Sequence, residues 1–205
     1  MTLVLRYMRR KDVPRVVSID RMSFPSPWSA HSYNYEVAES TYSHMVALEA
    51  PIEQPIQGFK KFVHAFSGQR ARVETVQQVV AYGGLWNIAG EAHISTIASH
   101  PDFRGRGWGE VILASMIDKA INLQAEYIVL EVRVSNTVAQ RLYEKYEFAT
   151  VDIKRNYYRD DREDAYDMRL DLEDTALIQR FYQRFEQIKL KHQFENCYTN
   201  IPRPR

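Results

Sequence analysis

Glu131 is a carboxylate set inside the most apolar stretch of the chain, Tyr127–Val134 (YIVLEVRV). Burying a carboxylate is costly unless it is paired, solvated in a cleft or neutralised. Two readings follow: a salt bridge to Arg133 or another neighbour, or a general base whose pKa burial raises. Strand alternation puts Glu131 on one face with Tyr127, Val129 and Arg133. Tyr143, in Arg141-Leu142-Tyr143-Glu144 on the segment that follows, carries a phenol; taken alone it reads as a core tyrosine with its hydroxyl satisfied. The third feature is the loop Arg104-Gly105-Arg106-Gly107-Trp108-Gly109. Strand before and helix after, such a loop aims backbone N–H groups at an anion, and the helix dipole adds positive charge at the same place. Glycines at alternate positions let the backbone approach a ligand and take positive φ, and Arg104 and Arg106 add full charges. This chemistry suits the diphosphate of a nucleotide-containing cofactor. The P-loop is excluded because no Lys-Ser or Lys-Thr follows. The dinucleotide fingerprint is excluded because Glu110 stands where its last glycine belongs.

The elements that must position these groups follow from pattern. Thr2–Met8 alternates as a first strand. Asp12 is expected to cap a helix carrying Pro14 and the apolar positions Val13, Val16, Val17 and Ile19, which Phe24–Trp28 breaks. Ser29 caps a second helix through Val37. Tyr42–Glu49 reads as a second strand, and Val76–Trp86 as a third, ended by Gly83-Gly84. Glu91–Ser99 is the fourth, and Asn87–Gly90 makes the last two an antiparallel hairpin. Between the second and third strands, residues 50–76 read as a long insertion with weak periodicity, with a mobile flap expected and a short amphipathic helix over Phe59–Phe66 as an option. The helix Glu110–Leu123 follows the loop, and Tyr127–Val134 reads as a doubly covered central strand. Ser135 or Asn136 caps a helix over Thr137–Tyr146. Phe148–Tyr157 and Asp164–Leu172 form a closing pair of strands. Asp171 is expected to cap a last helix to Leu190 with the stripe Leu177, Ile178, Phe181, Tyr182, Phe185 and Ile188, packed on the body or on a second subunit. The tail after Gln193 looks irregular. This order predicts an α/β fold with a mixed sheet.

Composition narrows the class. A chain of 205 residues with 45% hydrophobic residues has material for one domain and a core. A formal net charge of +1 gives no global field toward nucleic acid or membrane. The single cysteine, Cys197, forms no intrachain disulfide and fits a reducing compartment. No signal peptide or membrane span is evident, so a cytoplasmic location is expected. His31, His44, His64, His93, His100 and His192 lack metal-ligand spacing, so no metal is expected.

The loop Arg104–Gly109 resembles the acetyl-CoA loop Q/R-x-x-G-x-G/A of the GNAT acetyltransferases. Leu130-Glu131-Val132-Arg133 with Ser135-Asn136, then Leu142-Tyr143-Glu144 and Phe148, Arg155-Asn156-Tyr157-Tyr158 and Glu163-Asp164-Ala165 resemble the RimI branch of that family. So do Phe24-Pro25, Pro27-Trp28-Ser29 and Ile97-Ala98 before Pro101-Asp102-Phe103. The likeness covers most of residues 3–49 and 77–170. The insertion and the segment after about residue 173 depart from it, and Ser99 stands where the family more often has an aliphatic residue.

The resemblance implies a GNAT fold: a mostly antiparallel mixed sheet flanked by helices, over residues 1–172, with 173–205 a helical extension. It implies acetyl-CoA as acetyl donor and a protein N-terminus as acceptor, in that branch the N-terminal alanine of a small-subunit ribosomal protein. By position, Glu131 matches the general base and Tyr143 the general acid. Ile97, Ala98 and Ser99 match the strand edge that pairs with the pantetheine arm. Gly105–Glu110 match the diphosphate loop, and Asn136 matches a contact near the coenzyme's reactive end. Arg155, Asn156, Tyr157 and Tyr158 are candidates for the acceptor side. Deprotonating an α-amine of pKa ~8 at pH 7 costs only about 1.4 kcal/mol, against about 4.6 for a lysine near ~10.4, which suits a moderate base. Direct transfer is expected, with an N–H of Ala98 or Ser99 facing the oxyanion and Tyr143 donating to the leaving thiolate. Glu91, which opens the fourth strand, is either a rival base or a hairpin-end surface charge. The alternatives are an acetyltransferase for a lysine or small amine, and a non-catalytic acyl-CoA-binding module. A homodimer through the C-terminal helix is a further alternative.

Overall fold

A computed structural model of the protein describes residues 2–55 and 73–204. Its strands are β1 (Val4–Tyr7), β2 (Ser43–Pro55), β3 (Val73–Ile88), β4 (Glu91–Ser99), β5 (Tyr127–Arg133), β6 (Ala149–Lys154), β7 (Ala165–Asp171) and β8 (Glu195–Cys197). Its α-helices are α1 (Val13–Ser23), α2 (Ala30–Ala38), α3 (Trp108–Asn122), α4 (Thr137–Lys145) and α5 (Thr175–His192). The strands form one eight-stranded sheet in the order β6-β7-β5-β4-β3-β2-β1-β8. The β4/β5 and β1/β8 pairs are parallel and the others antiparallel, so the expected mixed, mostly antiparallel sheet is present. One face carries α1 and α2 over Met45, Val79 and Tyr82. The opposite face carries α3 and α5 over a larger core that includes Leu48, Leu85, Ile128 and Leu130.

The hairpin between β3 and β4 turns at Ala89-Gly90, both with positive φ (50° and 86°), as a two-residue primed turn requires. Ser29 caps α2, its Oγ accepting from Ser32 N–H. Asp12 does not cap α1: a short 3-10 turn (Arg10–Asp12) precedes that helix, and the Asp12 carboxylate is taken by Arg6 and by the Arg9 N–H. Gly83-Gly84 do not end β3. A Cβ at Gly83 would stand 2.8 Å from Ile112 and Met116, so the missing side chain lets α3 lie close on the sheet.

Three further expectations are corrected. Residues 50–55 and 73–76 are not loop: they extend β2 and β3 as a two-stranded arm, paired from Ala50↔Gln78 to Pro55↔Val73. β1 pairs with β2 only as far as Glu49, so beyond it that edge of β2 has no strand partner among the described residues, where prolines such as Pro51 are tolerated. Pairing across the arm supplies what its own periodicity lacks. The optional helix over 59–66 lies outside the described residues. Asp174, not Asp171, caps the last helix, accepting from Ala176 N–H at 2.8 Å. The tail after Gln193 is not irregular throughout, because β8 joins β1 in parallel.

Four members of the α5 stripe, Leu177, Phe181, Phe185 and Ile188, are buried in the main core. Ile178 is half-buried and Tyr182 stays at the surface. Phe185 is 0% exposed, so Phe185→Ala should cost about 3–5 kcal/mol, whereas Leu190→Ala, at a position 75% exposed, should stay within about 0.5 kcal/mol. Urea unfolding of the two variants checks this; a Phe185→Ala protein as stable as the parent would show that α5 is not part of the core.

Candidate active site

β4 and β5 pair only through Glu91↔Tyr127, Ala92↔Ile128 and His93↔Val129. Beyond His93 they part. β4 continues on its other edge with β3, matching Gly83↔Ile97, Tyr82↔Ala98 and Ala81↔Ser99. A bulge falls at Ser95, between the pairs Gly84↔Thr96 and Leu85↔Ile94, and a bulge bends the strand that carries it. From Ile94 to Ser99 the edge of β4 that faces β5 has no strand partner among the described residues. The predicted trio Ile97, Ala98 and Ser99 lies on this edge.

The strand delivers the chain to the glycine loop through a 3-10 turn, Pro101–Phe103. Gly105 and Gly107 take φ of 76° and 80°, the left-handed region where glycine is unstrained. Gly109 does not: a Cβ there would make an ordinary 3.6 Å contact with Ser99 Oγ, so its glycine is not required by conformation. Gly107 is the N-cap of α3 and no side chain caps it. The helix thus starts at Trp108, before the expected Glu110, and its first N–H groups have no intrahelical acceptor. Among the described residues, Val111 N–H bonds Gly107 O, while no loop carbonyl or side chain accepts from Gly105 to Glu110. Trp108 is buried and anchors the turn. Arg106 lies over the Phe103 and Trp108 rings, at 5.1 and 5.3 Å, and Arg104 reaches Ser23 Oγ. The Glu110 carboxylate turns away to Lys145 and Tyr146, leaving only its backbone N–H for the loop.

Glu131 stands on β5 just past the parting of the strands. Its Oε2 meets His93 Nε2 at 2.9 Å and its Oε1 meets Lys154 Nζ at 2.5 Å. The salt-bridge reading holds, but with these partners, not with Arg133. The raised pKa does not hold: burial pushes the carboxyl up, yet the bonds from His93 and Lys154 outweigh it and bring it down to about 2. Arg133 binds Asp160, Asp161 and Glu163 instead and stacks on Tyr158 at 3.8 Å. Tyr143 is buried, and burial followed by the nearby Tyr158 raises its pKa. Its phenol therefore keeps its proton at neutral pH. Tyr158 is pushed up to about 12 by burial, with Glu131 among the groups acting on it. Tyr157 is raised by burial and then by Glu131. Tyr157 and Tyr158 thus lie in the field of Glu131, and Tyr143 in that of Tyr158.

The other candidates sit differently. Arg155 pairs with Asp164 at 2.5 Å, and Asn156, at a φ of 51°, gives its N–H to the same carboxylate. Both shape the β6–β7 turn, while the tyrosines after them face the Glu131 neighbourhood. Asn136 uses its carbonyl oxygen to cap α4, accepting from Ala139 N–H at 3.2 Å. Glu91 is at the closed end of the strand pair and accepts from the Tyr127 hydroxyl. Sequence reasoning missed His93 and Lys154 as partners of Glu131. For His93 a signal existed: alternation along β4 puts it on the same sheet face as Glu131 once the two strands are neighbours.

Residues 13–148 match the acetyltransferase (GNAT) family. The chain belongs to that family. Over 161 residues it is 33% identical to a Bacillus subtilis protein named "Putative ribosomal protein bS18-alanine N-acetyltransferase", covering 78% of this chain and 90% of that protein. It is 29% identical over 161 residues to the ribosomal protein bS18-alanine N-acetyltransferase of Escherichia coli (strain K12), covering 78% of this chain and 90% of that one. The crystal structure of the Escherichia coli ribosomal-protein-S18-alanine N-acetyltransferase is similar with a TM-score of 0.64 at 25% identity, over 83% of this chain and 94% of that one. The protein is accordingly an acyltransferase with a GNAT fold, and enzymes of this family use acetyl-CoA.

The depressed pKa of Glu131 has a consequence for stability. A carboxyl that titrates near 2 when folded and near 4.5 when unfolded stabilises the fold above the unfolded value, and that contribution is lost as pH falls through the folded one. The acetyltransferase should therefore be more stable than its Glu131→Gln variant at pH 7, and the gap should shrink between pH 4.5 and 2. Urea titrations across this range measure it; a gap independent of pH would mean that His93 and Lys154 do not hold the carboxylate.

Proposed function

We propose that the enzyme transfers the acetyl group of acetyl-CoA to the α-amine of a protein N-terminus, with the N-terminal alanine of ribosomal protein bS18 as acceptor. One observation carries the reading: the open edge of β4, the unpaired N–H groups at the head of α3 and the Glu131 carboxylate border the same parting of the sheet. The names of the relatives in Bacillus subtilis and Escherichia coli support the acceptor.

The residues fit the coenzyme. A Cβ at Gly105 would meet nothing within 4 Å, so a diphosphate has room against the loop, and amides aimed outward at a helix N-terminus suit it. Ile97–Ser99 present the strand edge to a pantetheine arm, and the coenzyme, when bound, supplies an activated thioester carbonyl. The chain's own groups do the rest. A carboxylate held well below its usual range by its ion pairs is a weak acceptor for a proton from an amine. The proton is therefore assigned to His93: its Nε2 is held by Glu131, leaving Nδ1 to accept, directly or through water. Glu131 orients the ring and balances the charge that forms, the role a carboxylate has beside a catalytic imidazole. Tyr143 keeps its proton and donates it, or a hydrogen bond, toward the sulfur. Tyr157 and Tyr158 wall the acceptor side.

Mass spectrometry of peptides beginning Ala-Arg, incubated with acetyl-CoA and the protein, should show one acetyl group on the α-amine. Acetylation confined to lysine would contradict the acceptor. Glu131→Gln and His93→Ala should each lower kcat by about 10²-fold and leave the KM for acetyl-CoA within about twofold. Full activity of His93→Ala at pH 7 would remove the imidazole from the proton path.

A further inference from the structure

The last turn of α5 ends against the glycine loop. A Cβ on Gly107 would stand 3.0 Å from Cε1 and Nε2 of His192 and 4.0 Å from Nζ of Lys191. His192 Nε2 is shut off from solvent and has no hydrogen-bond partner among the described residues. Burial and then the Lys191 ammonium lower the pKa of this ring, with Glu110 opposing. His192 is thus an uncharged wedge that seats the end of α5 on Gly107. Gly107 is excluded from carrying a side chain twice over, by its φ of 80° and by this contact.

Lys191 is different. It is exposed, and among the described residues no carboxylate pairs with it; the neighbouring Lys189 is the one bound to Glu186. Glu110, the carboxylate beside this turn, is already engaged by Lys145 and Tyr146. Lys191 therefore adds a cation beside Gly107, on a loop that already carries Arg104, Arg106 and the positive end of the α3 dipole. Cations at a helix N-terminus are unfavourable, and an anion bound among them relieves that cost. α5 lies outside the family match at residues 13–148, so this cation is a feature of the chain's own C-terminal segment.

We propose that Lys191 binds a phosphate group of the coenzyme, so that the C-terminal helix completes the anion site begun by the loop. This rests on the acetyl-CoA reading above. The shared chemistry is a phosphate monoester or diphosphate, and two ligands separate the sources. Titration calorimetry at low salt would measure CoA and 3′-dephospho-CoA against the full chain and its Lys191→Glu variant. The variant should bind CoA roughly tenfold more weakly, with a shallower dependence on salt and unchanged thermal unfolding in the absence of ligand. Weakening with both ligands places Lys191 on the diphosphate; weakening with CoA alone places it on the 3′-phosphate. Unchanged affinity for both, in a wild-type protein that binds CoA, overturns the role of Lys191. A wild-type protein that binds neither ligand overturns the coenzyme reading itself.

Discussion

Parting β4 from β5 after His93 is the constraint on which the site depends. Parallel neighbours in a sheet normally satisfy each other's backbone along their length, yet here the pairing ends after His93↔Val129. The rest of the sheet makes this tolerable. β4 remains bound to β3 to Ser99, and β5 remains bound to β7 from Tyr127↔Asp171 to Arg133↔Ala165. Each strand is held by its outer partner, and beyond His93 the inner edges have no strand partner among the described residues. The bulge at Ser95 bends β4 just where pairing stops. β4 leads through the 3-10 turn Pro101–Phe103 and the glycine loop to the head of α3, where a Cβ on Gly109 would touch Ser99 Oγ.

The C-terminal segment is part of this arrangement and not an appendage to it. The stripe of α5 fills the core beneath α3, and β8 extends the sheet beyond β1. The tail then runs on to Arg203, whose guanidinium donates to the carbonyls of Glu36 and Val37 at the end of α2. Packing of α5 against α3 brings its last turn to the glycine loop, where Gly107 and His192 meet. A segment that contributes to the core therefore also brings Lys191 and His192 beside the glycine loop.

Much of this was legible in residue order. Arg104–Gly109 between an alternating strand and an amphipathic helix is a local signal, because positive φ at Gly105 and Gly107 needs nothing from distant residues. The position of Glu131 on a central strand was equally clear. Its electrostatic state was not, since it depends on His93 from β4 and Lys154 from β6, and alternation assigns a face without naming the partners across it. The β2/β3 arm was hidden by Pro51 and Pro55, which read as loop until it is known that β1 pairs with β2 only as far as Glu49. β8 spans only Glu195–Cys197, too short for a pattern, and exists because β1 offers it an edge.

The central claim is that backbone N–H groups at the head of α3 and along the open edge of β4 hold the coenzyme. Amide chemical shifts recorded by NMR during titration with CoA test it most directly. The largest changes should fall on Gly105–Glu110 and Ile97–Ser99, with smaller ones at the end of α5. Saturating binding that leaves those amides unmoved, and shifts others instead, would contradict it.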